Sequence, residues 1–316
     1  MFTSRKQRTV IGLTAAVSLA AVWPALSQTT ATAAVPNAPA GFTRTWSDDF
    51  DGTAGSPPSA DNWLVDTGTS YASGPAHWGT GEVQTYTNDT KNLQLDGKGN
   101  LSITPLRDDS GAWTSARVET VRKDFQPAAN GKMRIEARVQ VPNVTGDAGV
   151  GYWSAFWALG NEFRGNYQNW PDIGEFDVME NINAADSVTG TLHCGVSPDG
   201  PCKENTGLTG KQQGCPGSPC AGNFHTYALE IDRTAAVEKL SWFIDDEATP
   251  FHTVTSDQVD AATWERSVRN CKFLLLNLAV GGAFPDSEAG KTTPIAATQP
   301  GVPMLVDYVA VYNSAS

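Results

Sequence analysis

Three carboxylates, Glu175, Asp177 and Glu180, fall within the run Gly174-Glu175-Phe176-Asp177-Val178-Met179-Glu180-Asn181. Acidic side chains interleaved with apolar ones read as a β-strand, because successive strand side chains point to opposite faces. Glu175 and Asp177 then share one face, and Phe176 and Val178 the other. Glu180 is out of step by one residue. A β-bulge at Val178-Met179, with Met179 as the extra residue, would return Glu180 to the acidic face. Three anions on one strand repel one another, so their presence argues for a use. Two carboxyl groups about 5–5.5 Å apart are what retaining glycoside cleavage needs, one as nucleophile and one as acid/base. The same acids could instead ligate calcium or form a solvated face. The apolar residues between them make a strand rather than an ion-wrapping loop, which favours catalysis.

Other chemistries find less support. No Gly-x-Ser-x-Gly elbow is present, nor a Walker or Rossmann glycine pattern. Ten tryptophans supply aromatic surface. Trp153 and Trp157 would share one strand face, and Trp170 just precedes the carboxylates, while Trp78 and Trp113 sit in loop-like contexts. Sugar rings stack on such platforms, although a tryptophan in a β-sandwich also serves as core. Arg117 would either answer the acids and a sugar hydroxyl or lie in solvent. His193 would either line the cleft or be a structural histidine.

The elements that must hold these residues read as β throughout. Short runs rich in Val, Ile, Thr and aromatics alternate with Gly, Pro, Asn and Asp clusters, which predicts an all-β sandwich. Strands are expected at 101–106, 132–141, 155–159, 174–179, 188–194, 226–232, 239–244, 272–280 and 305–312, with a short helix at 263–268. Segments 196–223 and 281–303 lack periodicity and read as long loops that edge a site or are tolerated insertions.

Residues 1–34 read as a secretory signal. Arg5, Lys6 and Arg8 precede an apolar stretch from Val10 to Leu26, and Ala31-Thr32-Ala33 offers a cleavage site. Residues 35–316 are expected to form a single catalytic domain in a secreted, extracellular protein. The formal net charge is −12, and loss of the three signal cations makes the remainder still more acidic. That disfavours nucleic acid and anionic membranes and suits a neutral polymer. Five cysteines lie in the second half; proximity suggests Cys194–Cys202 and Cys215–Cys220 bridges with Cys271 unpaired. Zinc is a rival use, but the spacings match no ribbon or finger.

The segment Trp170-Pro171-Asp172-Ile173-Gly174-Glu175-Phe176-Asp177-Val178-Met179-Glu180 resembles the signature of glycoside hydrolase family 16, in its bulged Glu-x-Asp-x-x-Glu form. The resemblance runs through Trp46-Ser47-Asp48-Asp49-Phe50-Asp51-Gly52, Thr114-Ser115-Ala116-Arg117 and Gly131-Lys132-Met133-Arg134-Ile135-Glu136-Ala137-Arg138. It continues in Ser154-Ala155-Phe156-Trp157-Ala158-Leu159, Phe224-His225-Thr226-Tyr227, Leu276-Asn277-Leu278-Ala279-Val280-Gly281-Gly282 and Asp307-Tyr308-Val309-Ala310-Val311-Tyr312. It implies a concanavalin A-like β-jelly-roll of two curved antiparallel sheets, with Glu175 as nucleophile, Glu180 as acid/base and Asp177 as helper. It also implies that Trp153, Trp170, Arg117 and His193 line the glycan subsites.

The bulged form resembles the laminarinase-like branch, which implies endo-hydrolysis of β-1,3- or mixed β-1,3/1,4-glucan. His193-Cys194-Gly195, the cysteine-rich loop and the stretch Asn161–Asn169 depart from that branch and leave a galactan-type polymer open. A transglycosylase and a non-catalytic carbohydrate-binding module are the further readings. No cofactor is required by this chemistry, and a monomer is expected. The resemblance also implies a structural calcium on the convex face, with Asp307 as the candidate ligand.

Overall fold

The structure is a computed structural model and describes residues 1–2, 35–245 and 248–314. The segment read as the secretory signal therefore lies almost wholly outside the described residues. The chain divides into units Met1–Ala31 and Thr32–Ser316, and the described strands and helices all belong to the second.

Strand patterning dictates two packed sheets. In Lys132–Gln140, Met133, Ile135, Ala137 and Val139 point inward while Arg134 and Arg138 alternate outward, as a strand covered on its inner face requires. Lys272–Val280 is buried along its whole length and reads as a central strand. One sheet runs Leu208–Thr209, Thr189–His193, Glu175–Ile182, Tyr152–Gly160, Lys272–Val280, Arg117–Thr120 and Trp63–Asp66, all antiparallel. The other runs His252–Thr255, Lys239–Ile244, His225–Asp232, Lys132–Gln140, Met304–Ser314, Leu101–Ile103 and Leu93–Leu95, with Phe42–Asp48 added beside Met304–Ser314. One continuous apolar core lies between them. This is the expected jelly-roll sandwich.

Each of the nine expected strands appears in part or in full, and the helix begins two residues earlier, as Ala261–Val268, because Asp260 caps the Ala262 and Thr263 N–H groups. The long loops are not featureless. The first carries the edge strand Leu208–Thr209, and the second the helix Ala283–Ala289.

The bulge in the carboxylate strand is present. Against Tyr152–Gly160, Phe156 pairs with Met179 and Trp157 with Asp177, so Val178 has no partner there. On the other side Asp177 and Glu180 pair with Thr191 and Thr189, three steps against two. The unpaired residue is thus Val178 rather than the expected Met179. Both side chains turn into the core, and this double inward step restores Glu180 to the outer face.

A bulge frees backbone groups that need partners. Here Trp242, from the opposite sheet, donates its indole N–H to the Asp177 carbonyl at 2.8 Å. Gly190 makes room for that indole, since a Cβ at this position would collide with the ring. Gly190→Ala should therefore destabilise the fold by roughly 1–3 kcal/mol through overpacking, and Trp242→Phe by about 1–3 kcal/mol through the orphaned carbonyl. Thermal denaturation checks both; unchanged melting in the pair would show that the bulge is not held from the far sheet.

Candidate active site

Glu175, Asp177 and Glu180 face outward from the sheet into a cleft of about 720 Å³, with Trp153, Trp157 and Trp170 among its walls. The strand is fixed where it begins. Gly174 has φ +72°, and a Cβ there would meet the Ser267 carbonyl oxygen, so only glycine fits the turn. Lys272, fully buried, donates to the carbonyls of Ile173 (3.3 Å) and Ser267 (2.6 Å) and to Asn270 Oδ1. Its ammonium also lies 4.6 Å from the Phe176 ring centroid. Burial pulls its pKa well below that of an ordinary lysine.

His193 stands opposite Glu175 in the sheet register. Its Nε2 lies 3.3 Å from Asp177 Oδ2 and 4.0 Å from Glu175 Oε1, while Nδ1 lies 2.6 Å from Glu204 Oε2. Burial opposes an imidazolium, but hydrogen bonds to Asp177 and Glu204 outweigh it and hold the pKa well above the usual histidine value. Glu175, Asp177 and His193 bring potential ligand atoms within 4.8 Å of one another, and the second ring nitrogen of His193 is held by Glu204.

Burial and then the Asp177 charge push Glu175 well above the ordinary carboxyl range, with His193 acting in the opposite direction. The same two causes raise Glu180 to about 8, against the pull of His193 and of the Trp153 indole N–H, which donates to Glu180 Oε1 at 2.9 Å. The two acids differ in their neighbours. Glu175 has a cation beside it that favours its ionised form, whereas Glu180 has a neutral donor and a pKa suited to carrying a proton near neutrality.

The remaining sequence candidates divide. Trp153 and Trp170 line the cleft, the latter with its ring 5.5 Å from that of His193. Arg117 also reaches the lining but does not answer the acid cluster. Its guanidinium is taken by Asp66 (3.0 Å) and the Tyr71 hydroxyl (2.9 Å) and lies 4.6 and 4.8 Å from the Trp78 and Trp157 rings. It stiffens an aromatic floor; the cation of the cluster is His193. Asp307, the candidate calcium ligand, accepts from Arg138 at 2.7 Å through Oδ2. Both expected disulfides form and Cys271 is free.

Tyr71, Glu82, Glu204 and Phe284 went unrecognised in the sequence. The first two come from the loop-rich segment before Tyr86, and Phe284 from the second long loop. For Glu204 the one available signal was an acid placed two residues beyond a bridging cysteine.

A jelly roll carrying paired carboxylates and aromatic walls in one cleft defines a glycoside hydrolase. Residues 135–221 match the family model described as XgeA-like, catalytic GH16 domain. Among solved structures, the endo-1,3-beta-glucanase from Streptomyces sioyaensis is 51% identical, with 89% of this chain and 100% of that one covered and a TM-score of 0.86. Among curated proteins, a beta-glucanase of Rhodothermus marinus is 31% identical over 85% of this chain and 84% of its own length. The glucan endo-1,3-beta-glucosidase A1 of Niallia circulans is 32% identical over 87% of this chain, which spans only 38% of that longer protein. The chain belongs to glycoside hydrolase family 16.

The raised Glu180 pKa has a consequence for stability. The folded state keeps a proton that the unfolded chain releases at 4.5, so this contribution is present at low pH and lost as pH rises through about 8. Glu180→Gln removes the buried charge. Its melting temperature should gain on the wild type as pH rises from about 4.5 to about 8. A difference that stays flat across that window would show that Glu180 titrates normally.

Proposed function

We propose that the chain is a secreted, retaining endo-β-1,3-glucanase, with residues 35–316 as its single catalytic domain, acting as a monomer and without a cofactor. The bulged strand carries this reading, because it sets an ion-paired carboxyl and a proton-holding carboxyl into one aromatic cleft. In its ionised form, which His193 favours, Glu175 attacks the anomeric carbon while Glu180 gives its proton to the departing glycosidic oxygen. A covalent glycosyl ester forms on Glu175. Glu180, now a base, takes a proton from water, which attacks the same carbon and restores the original configuration. Asp177 lies between the two in the strand and against His193, where its charge couples their titrations.

The named activity of the Streptomyces sioyaensis neighbour supports β-1,3-glucan over a galactan. Mixed-linkage β-1,3/1,4-glucan is the second substrate. The two acids, each with its own environment, favour hydrolysis over a binding module, which has no need of the pair. The two disulfides suit an oxidising compartment, and no helix among the described residues is long and apolar enough to cross a membrane.

A panel of laminarin, mixed-linkage glucan, galactan and agarose, with products sized by mass spectrometry and anomers followed by NMR, checks this reading. Laminarin should be shortened fastest, giving β-configured ends first. Glu175→Gln and Glu180→Gln should each lower kcat by about 10²–10⁴-fold. Undiminished release by Glu175→Gln, preference for galactan, or net chain lengthening would overturn it.

A further inference from the structure

We propose that Glu204 is a positioning residue, holding His193 with its Nε2 edge beside Asp177 and Glu175. The role rests on the glycosidase reading of the site. Glu204 comes from the cysteine-rich loop, outside the strand that carries the acids, and its side chain is fully buried. Both of its oxygens are engaged. Oε2 lies 2.6 Å from His193 Nδ1, and Oε1 accepts the Cys194 backbone N–H at 2.8 Å. A carboxylate held at both oxygens cannot turn away from the imidazole.

Covalent structure holds the acid in place. Cys194 follows His193 directly and is bridged to Cys202, two residues before Glu204. The bridge thus ties the loop bearing the acid to the strand bearing the histidine, and both sulfur-bearing residues are buried. Gly207 presses the loop against the ring, since a Cβ there would meet the His193 imidazole at 2.9 Å. Trp170 flanks the ring 5.5 Å away.

The orientation follows from where the protons must go. Nδ1 is committed to Glu204, so the Nε2 edge faces the acids as an ion-pair partner, 3.3 Å from Asp177 Oδ2 and 4.0 Å from Glu175 Oε1. The charged groups facing His193 are Glu175 and Asp177 from its neighbouring strand, Glu204 from the loop, and Glu180 at longer range. Without Glu204 the ring loses its closest anion and its fixed orientation. It then deprotonates at lower pH, and the ionised nucleophile loses its counter-charge.

Glu204→Gln and Glu204→Asp test this, with the His193 titration followed by NMR in the free enzyme and kcat and KM for laminarin measured against pH. In Glu204→Gln the His193 midpoint should fall by at least about one pH unit. Its kcat should fall about ten- to a hundredfold, as expected for losing a hydrogen bond to a charged group. KM should stay within about twofold, since substrate is not touched. The alkaline limb should move to lower pH, and Glu204→Asp should recover part of the midpoint. A role in loop structure alone would reduce the active fraction and leave midpoint and limb in place, and that result would overturn the proposal. If Glu204→Gln does not fold, the Glu204→Asp midpoint decides, an unchanged value overturning it. Should the wild type cleave no β-1,3-glucan, the substrate reading fails, while the His193 titration still decides the role of Glu204.

Discussion

One extra residue in the strand Glu175–Ile182 governs the chemistry. A regular strand would send Glu180 into the core, where an unpartnered carboxylate is strongly disfavoured, or would force Val178 and Met179 apart. Instead two consecutive apolar side chains enter the core and Glu180 returns to the cleft. At the bulge, the Asp177 carbonyl accepts a hydrogen bond from the opposite sheet, from the Trp242 indole N–H. The catalytic strand is therefore not a feature of one sheet. Its irregularity is held by the sandwich as a whole, down to the missing side chain at Gly190.

Electrostatics impose the second constraint. Three carboxylates gathered in a partly desolvated cleft would resist ionisation together, and burial with the Asp177 charge does raise both Glu175 and Glu180. His193 is the cation that offsets this, and it is asymmetric. It stands across from Glu175 in the register and away from Glu180, whose own contact is an indole N–H. Two chemically identical side chains thus acquire different roles through their neighbours. Arg117, which the sequence offered as the neutralising group, is already committed to Asp66 beneath the aromatic floor.

Legibility in the sequence depends on how local each signal is. Alternation in Lys132–Gln140 and the continuous apolar run in Lys272–Val280 depend on residues a few positions apart, so strands and sandwich were legible. The phase slip before Glu180 was legible for the same reason, although which residue lacks a partner depends on the register of a neighbouring strand. Cysteine spacing sufficed for both bridges. Contacts between segments far apart in the chain left no local pattern. Nothing around Arg117 announces Asp66, nothing around Trp242 announces a carbonyl in the other sheet, and nothing around Asp307 announces Arg138.

The loops carry the part of the site that the strands do not determine. A strand residue has its direction set by the ladder, so a family signature can transmit the positions of Glu175, Asp177 and Glu180 with little help. A loop residue needs some other anchor, and here each has one. Glu204 is tethered through a disulfide adjacent to His193, and Gln212 of the same loop donates to Glu288 of the second long loop at 3.1 Å, both of them lining the cleft. The two aperiodic segments therefore meet at the margin of the cleft. A polymer lying over the carboxylates must pass this joined wall. Chemistry is thus carried by the sheet, while the shape of the chain that can reach it is set by segments whose order comes from cross-links and side-chain contacts rather than from register.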